Sequence, residues 1–393
     1  MFQLLLVIIY LAFISLGLPD SLLGAAWPTV YRELDVPLSY MGIISMIIAG
    51  GTIFSSLQSD RLTKKLGTGK ITAFSVLMTA VALFGFFISH SMMSLCLWAI
   101  PYGLGAGSVD ASLNNYVALH YKSRHMSWLH CMWGIGAAAG PYIMGYALAC
   151  GSWNRGYLYI SIIQIILTTI IFVSLPLWKG NIKVSDTDSS DNAGSNEKPM
   201  KLIDVLRLAG VKEVMVTFFC YCAIEQTTGL LGSSFLVLTK GIDATTAASF
   251  ASLFFIGITV GRGICGFITF MLSDTSLIRL GQFLVLIGGI FVLLPFGKYI
   301  SLIGLIIVGL GCAPIYPCII HSTPNVFGAN NSQAVIGVQM AAANAGTCFM
   351  PPIFGLIANY ISIKLFPIYI IALLLLMITM YSLLLSKTKR AAE

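Results

Sequence analysis

Twelve apolar runs of about 20 residues or more follow one another along the chain, and each is long enough to cross a lipid bilayer as an α-helix. The 393 residues are 57% hydrophobic and only 9% charged, and the mean hydropathy is +0.89, values typical of a multi-pass membrane protein. The first run lacks a basic start and a cleavage site, so we expect a span rather than a signal peptide. The predicted spans are 4–31, 38–59, 71–89, 92–119, 127–150, 156–178, 211–239, 245–272, 276–296, 300–320, 333–359 and 365–386.

Basic residues are distributed unevenly over the loops between these runs. If both termini are cytoplasmic, sixteen of the 22 Lys and Arg residues lie on the cytoplasmic side, five lie on the opposite side, and Arg262 lies within a span. Cytoplasmic loops of membrane proteins carry such an excess, so both termini are predicted to be cytoplasmic. The net charge of +7 is spread along one membrane face, and no nucleic-acid partner is predicted.

A polar segment divides the chain. Residues 180–200 are rich in Ser, Asn and Asp and have no hydrophobic periodicity, which is typical of a flexible linker. The predicted domains are therefore a six-helix bundle over 1–179, a cytoplasmic linker over 180–200 and a second six-helix bundle over 201–393. The nine cysteines have neither metal-ligand nor disulfide spacing, and no cofactor or metal site is predicted.

The two halves resemble each other at fixed offsets. Asp20 and Gly24 correspond to Glu225 and Gly229 at an offset of 205, and the motif GLG at Gly103 recurs 206 residues later. Three further matches share an offset of 210: Gly136, Pro141 and Gly145 correspond to Gly346, Pro351 and Gly355. A slowly growing offset is expected when loops lengthen between duplicated helices. The pattern predicts a 6+6 parallel repeat, with a binding site at mid-depth between the halves.

Few ionisable residues lie inside the predicted spans, and such residues usually mark an ion or substrate path. Asp20 and Glu225 occupy equivalent places in the two halves, and both are candidates for proton coupling. Asp110 is accompanied four residues later by Asn114, so the two share one face of a helix. Since Arg262 lies one helix from Glu225, we expect Glu225 to stay ionised in a structural or gating pair, and Asp20 to be the group that titrates.

Seven stretches together resemble bacterial sugar transporters of the major facilitator superfamily, in the branch of the fucose permeases and the sodium-dependent glucose transporter-like proteins. They are GLPDSLLGAAWP, GLGAGSVDASLNNYVA, WLHCMWGIGAAAGP, YCAIEQTTGLLGSSF, FFIGITVGRGICG, GCAPIYPCII and GVQMAAANAGTCFMPPIFG. The resemblance implies an all-α membrane protein with twelve transmembrane helices in two six-helix halves. It also implies a bacterial inner-membrane location and a monomer in the lipid bilayer.

The resemblance further implies roles for individual residues. Asp20 matches the proton-coupling aspartate of the first helix, and Asp110 stands where the fucose permease pattern has a glutamate that handles substrate and proton. After the second helix, SSLQSDRLTKKLG keeps the acidic and basic positions of the family's loop motif, including Asp60 and Arg61. This loop is expected to act as a conformational latch, and Arg262 is a further gating candidate.

Several of these residues also have a structural interpretation. Asp20 could pair with Arg262 or with the backbone, and Arg262 is more typical of an interhelical ion pair than of a substrate ligand. Four residues with rings fit either interior packing or substrate contact: His130, Trp133, Tyr316 and His321.

Three other classes of protein would require different features in the sequence from those of a sugar carrier. An enzyme would need a clustered nucleophile and base, and a channel would need rings of like groups around a pore. A proton-driven drug exporter is the alternative, because GAAAGPYIMG also resembles the fifth-helix motif of drug/proton antiporters. Amide and carboxylate groups, which suit sugar hydroxyls, favour a sugar carrier over a drug exporter. These groups belong to Asp110, Asn114, Asn115, Gln226, Gln339 and Asn344. The sequence therefore predicts a secondary transporter that takes up a small polar solute, a monosaccharide, together with a proton by alternating access.

Overall fold

The computed structural model describes residues 2–37, 40–179, 200–242, 244–294 and 297–392, and all regular structure in these ranges is helical. The α-helices are α1 Phe2–Asp20, α2 Leu22–Glu33, α3 Tyr40–Leu66, α4 Thr68–Phe87, α5 Met92–His120, α6 Ser123–Ala149, α7 Trp153–Lys179, α8 Leu202–Arg207, α9 Val211–Lys240, α10 Ala244–Ile268, α11 Asp274–Leu293, α12 Lys298–Phe327, α13 Ala329–Ile357 and α14 Phe366–Ala392. A π-helical turn, Ala358–Ser362, and a 3-10 turn, Ile363–Leu365, connect α13 to α14.

The twelve predicted spans each correspond to a helix, except that the first is divided into α1 and α2 at Ser21. Nine stretches of described residues are long and apolar enough to cross a membrane, and one of them, 329–388, contains both α13 and α14. The apolar part of α10, Leu253–Ile268, is shorter. The predicted all-α, twelve-helix membrane fold is confirmed. The short helix α8 was not predicted.

The described residues form two compact units. The first contains Met1–Tyr116 and Met132–Val205, and the second contains Val117–Cys131 and Leu206–Glu393. The turn between α5 and α6 thus belongs to the second unit, whereas most of both helices belongs to the first. Residues 180–199 of the predicted linker lie outside the described residues, and the domain boundaries at 179 and 201 stay predictions.

Glycines bring α1 against α6 in the first unit. A Cβ atom at Gly17 would overlap the backbone of Trp133, and one at Gly136 or Gly140 would overlap a carbonyl oxygen of α1. The Ser21 hydroxyl donates to the carbonyl of Ala137 at 2.7 Å. Small residues allow two membrane helices to approach this closely, so the end of α1 has a fixed place beside α6.

The internal repeat has a structural counterpart in these glycine contacts. In the first unit, Gly136 faces the carbonyl of Ile14, and in the second unit Gly346 faces the carbonyl of Phe219. Gly103 in α5 and its repeat equivalent in α12, Gly309, likewise each face a carbonyl of a neighbouring helix. These two pairs of matching glycines are therefore helix-packing positions in both units, whereas a Cβ atom at Gly24, Gly145 or Gly355 would meet nothing within 4 Å.

Candidate functional site

Asp20 is the last residue of α1, where the first span is interrupted. One carboxylate oxygen accepts a hydrogen bond from Trp133 Nε1 of α6 at 2.8 Å, and the other accepts from the Tyr102 hydroxyl of α5 at 3.3 Å. The side chain of Asp20 is exposed, while Tyr102 is buried. Within the described part of the first unit, no basic side chain forms an ion pair with Asp20. Its carboxylate is thus held by two neutral donors.

Asp110 and Asn114 share one face of α5, as predicted. The Asn114 amide donates to Asp110 Oδ1 at 2.7 Å and to the Asp110 carbonyl at 3.0 Å. Asp110 is half-buried, whereas Asn114 and its neighbour Asn115 are buried. The amide of Asn114 therefore orients the carboxylate of Asp110, and Asp110 is the more accessible member of the pair.

Glu225 of α9 faces Arg262 of α10 in the second unit. Arg262 Nη2 lies 3.6 Å from Glu225 Oε2 and donates to the Tyr221 hydroxyl at 3.3 Å. All three residues are buried. The ion pair expected from the sequence is present, and the Glu225 carboxylate has a permanent cation beside it.

Aromatic rings surround Tyr316 of α12 next to this pair. The centroid of its ring lies 4.7 Å from that of His130, 4.9 Å from that of Phe218 and 5.7 Å from that of Tyr221. The Tyr316 hydroxyl donates to the sulfur of Met340 at 3.1 Å. Tyr316 is half-buried and His130 is buried, so the structure brings these two predicted residues together in a ring cluster of the second unit.

The three remaining predicted amide residues of the second unit differ in accessibility. Gln339 is buried and exchanges hydrogen bonds with the Thr323 hydroxyl at 3.0 and 3.3 Å. Asn344 donates to the carbonyl of Met340 at 2.9 Å, and both Asn344 and Gln226 are half-buried. Asn344 and Gln226 are thus more open to a solute than Gln339, and substrate contact by all three stays a prediction.

The two predicted latch residues follow each other in α3. Asp60 is buried, pairs with Lys64 at 3.3 Å and accepts a hydrogen bond from the backbone N–H of Met200 at 3.2 Å. Arg61 donates to Gln58 at 3.5 Å. In the first unit, Asp60 therefore holds the chain that leads into α8.

His321 of α12 has partners other than those of the ring cluster. Its Nδ1 lies 2.6 Å from Asp274 Oδ2, and its Nε2 lies 3.2 Å from the carbonyl oxygen of Tyr121. Asp274 lies outside the predicted spans, since the ninth span begins two residues later. Tyr102 was missed because a single tyrosine in an apolar helix gives no signal in the sequence. Both partners could be identified only from the three-dimensional arrangement.

The chain belongs to the Major Facilitator Superfamily, whose family model matches residues 9–338. Its family and fold are those of membrane transporters and not of enzymes.

Relatives and solved structures agree with this assignment. Bypass of stop codon protein 6 of Saccharomyces cerevisiae is 23% identical, over 91% of this chain and 77% of that protein. The glucose/mannose transporter GlcP of Bacillus subtilis is 22% identical, over 78% of this chain and 77% of that protein. The crystal structure of FucP in the outward conformation has a TM-score of 0.75 at 13% identity, over 95% of this chain and 98% of FucP. The proton:xylose symporter XylE has a TM-score of 0.78 at 10% identity, over 99% and 98% of the two chains. The predicted resemblance to the sugar-transporter branch is confirmed.

Proposed function

We propose that this chain is a proton-coupled symporter that takes up a monosaccharide by alternating access. It would act as a monomer in a bacterial inner membrane, with both termini in the cytoplasm and with two six-helix domains joined by the linker at 180–200. GlcP is named as a glucose/mannose transporter, and XylE and FucP are described as proton symporters of xylose and fucose. These descriptions favour a sugar as the solute and a proton as the coupling ion.

The environment of Asp20 is the observation that carries the proposal. An acidic group inside the membrane is costly unless it serves an ion or substrate path. Tyr102 and Trp133 stabilise the ionised carboxylate by hydrogen bonds, yet neither carries a charge that a proton would have to displace. Asp20 can therefore gain and lose a proton without breaking an ion pair.

Glu225 is in the opposite situation. Protonation of its carboxylate would leave Arg262 buried without its counter-charge, which is strongly unfavourable. In the proposed mechanism Asp20 carries the proton, and the pair of Glu225 and Arg262 stays charged as a structural or gating element. One proton per cycle, driven by 100 mV, contributes about 2.3 kcal/mol and concentrates the solute on the order of tenfold or more.

The sugar would bind among the accessible polar groups. Asp110 offers a carboxylate that Asn114 orients, and carboxylates and amides are suitable partners for hydroxyl groups. Trp133 is half-buried and combines an aromatic face, on which a sugar ring can stack, with an N–H bonded to Asp20. A sugar on Trp133 would thus lie next to the proton-carrying group, which is what coupling requires.

Ligand-induced stabilisation of the purified protein tests the substrate class. Glucose, mannose, xylose and fucose, each at several concentrations, are compared with lipophilic cations and with aromatic acids in a thermal unfolding assay. We expect at least one monosaccharide to stabilise the protein by about 1.4 kcal/mol at ten times its dissociation constant. Asp110→Ala should make the free energy of sugar binding less favourable by about 1 to 3 kcal/mol. The same sugar concentration should then stabilise this variant less than the wild type.

Asp35→Ala is the matched control, because Asp35 is an exposed aspartate between α2 and α3 and should leave sugar binding unchanged. Stabilisation by lipophilic cations and by none of the sugars would instead support the drug exporter.

A further inference from the structure

His321, Asp274, Tyr121 and Ser123 form a hydrogen-bonded group in the second unit, which we name the His321 cluster. His321 belongs to α12, Asp274 is the first residue of α11, and the other two residues lie at the turn between α5 and α6. The side chains of His321 and Asp274 are each 15% exposed. The cluster therefore ties three separate parts of the chain together at a site that water can reach.

The hydrogen-bond acceptors around His321 outnumber the N–H groups of a neutral imidazole. The backbone carbonyl of Tyr121, next to Nε2, can only accept a hydrogen bond, and so can the ionised carboxylate of Asp274, next to Nδ1. A neutral imidazole has a single N–H and cannot donate to both. The Ser123 hydroxyl donates to the other oxygen of Asp274. The complete set of bonds thus needs one proton more than neutral His321 and ionised Asp274 provide.

Lys122 of the turn and His120 at the end of α5 are exposed, and the other charged or titratable groups nearby are engaged or carry no permanent charge. Arg124, at the start of α6, donates to His125 and lies over the ring of Phe270 at 4.9 Å. Arg279 of α11 donates to Gln282 and to Ser382. The uncharged groups close to Asp274 are Cys318 of α12 and Tyr381 of α14. Within the described part of the second unit, His321 is the one ion-pair partner of Asp274.

We propose that the His321 cluster is a second proton-binding site, which holds the α5–α6 turn in the second unit while the extra proton is bound and releases it when the proton leaves. The turn belongs to the second unit while α5 and α6 extend into the first. Release of the turn therefore frees the end of α5 and the start of α6. The turn is thus firmly held in acid and loosens as the pH rises.

Amide hydrogen exchange in the α5–α6 turn tests this site without any substrate. If opening releases one proton, the opening constant rises up to tenfold for each pH unit. For the wild type, we expect protection of the turn, corrected for the intrinsic exchange rate, to fall by about tenfold per unit over part of the range from pH 5.5 to pH 8.

Three variants separate a proton site from ordinary packing. His321→Gln cannot carry the charge and should give low, pH-independent protection. His321→Arg keeps a permanent charge with several donors and should give protection at every pH. His90→Gln, at an exposed loop histidine of the first unit, should behave as the wild type.

The proposal is overturned if protection of the wild-type turn does not change with pH, or if His321→Gln retains the wild-type pH dependence. Asp274→Asn provides a second check should either His321 variant misfold, and it should also abolish the pH dependence. The measurement involves neither sugar nor a proton gradient, so its outcome is independent of the proposed symport.

Discussion

Asp20→Asn should abolish uphill accumulation of the solute while leaving its exchange across the membrane measurable. Asparagine has nearly the same shape as aspartate, and its carbonyl oxygen can still accept a hydrogen bond from Trp133, but it cannot take up a proton. Without a proton to carry, the membrane potential no longer drives the solute. In proteoliposomes with an imposed proton gradient, accumulation should fall from on the order of tenfold or more to the equilibrium level.

Counterflow of labelled solute, measured without a gradient, is the companion assay, because it requires binding and conformational change but no net proton movement. Asp35→Asn is the matched control and should accumulate solute as the wild type does. If Asp20→Asn continues to concentrate the solute against its gradient, Asp20 is not the proton carrier.

Glu225→Gln should destabilise the protein strongly, and the addition of Arg262→Gln should restore part of the loss. The single change leaves the guanidinium of Arg262, which is 3% exposed, without its counter-charge. Breaking one side of a buried ion pair costs about 3 to 5 kcal/mol, whereas replacing both charges is often much less harmful. Unfolding of both variants in detergent, followed by temperature or denaturant, measures the difference.

The same two variants decide between the roles of the repeat-related acids. Any Glu225→Gln protein that folds should remain coupled, since in the proposed mechanism Asp20, and not Glu225, carries the proton. Loss of proton coupling in Glu225→Gln, as in Asp20→Asn, together with no recovery in the double variant, would contradict the asymmetry between the two acids.

The sequence predicted the helices well because hydropathy and span length are local properties. The predicted span 92–119 and the helix Met92–His120 agree within a residue. The interruption of the first span at Ser21 was not predicted, since Pro19, Asp20 and Ser21 lie inside a run that is otherwise apolar. At Gly103 and Gly309, and at Gly136 and Gly346, the repeat offsets also pointed to packing positions, because a glycine that lets two helices touch is found at the same place in each half.

Side-chain partners were predictable only where charge restricted the choice. Arg262 is the one basic residue deep inside a predicted span, since Lys212 and Arg279 lie within four residues of the end of a span, and its pairing with Glu225 followed from that. By contrast, the partners of Asp20 are neutral residues on α5 and α6, and His321 meets an aspartate 47 positions away. Such contacts depend on how distant helices pack, which the sequence pattern of one helix does not encode.

Proton movement during solute entry distinguishes a proton symporter from a carrier that moves the solute alone. Proteoliposomes are loaded with a pH indicator, the membrane potential is clamped with potassium and valinomycin, and a monosaccharide that stabilises the purified protein is added outside. We expect the interior to acidify as the sugar enters, and we expect Asp20→Asn to abolish this acidification while sugar still equilibrates. Sugar entry through the wild-type protein without acidification, or equal acidification with Asp20→Asn, would contradict this expectation.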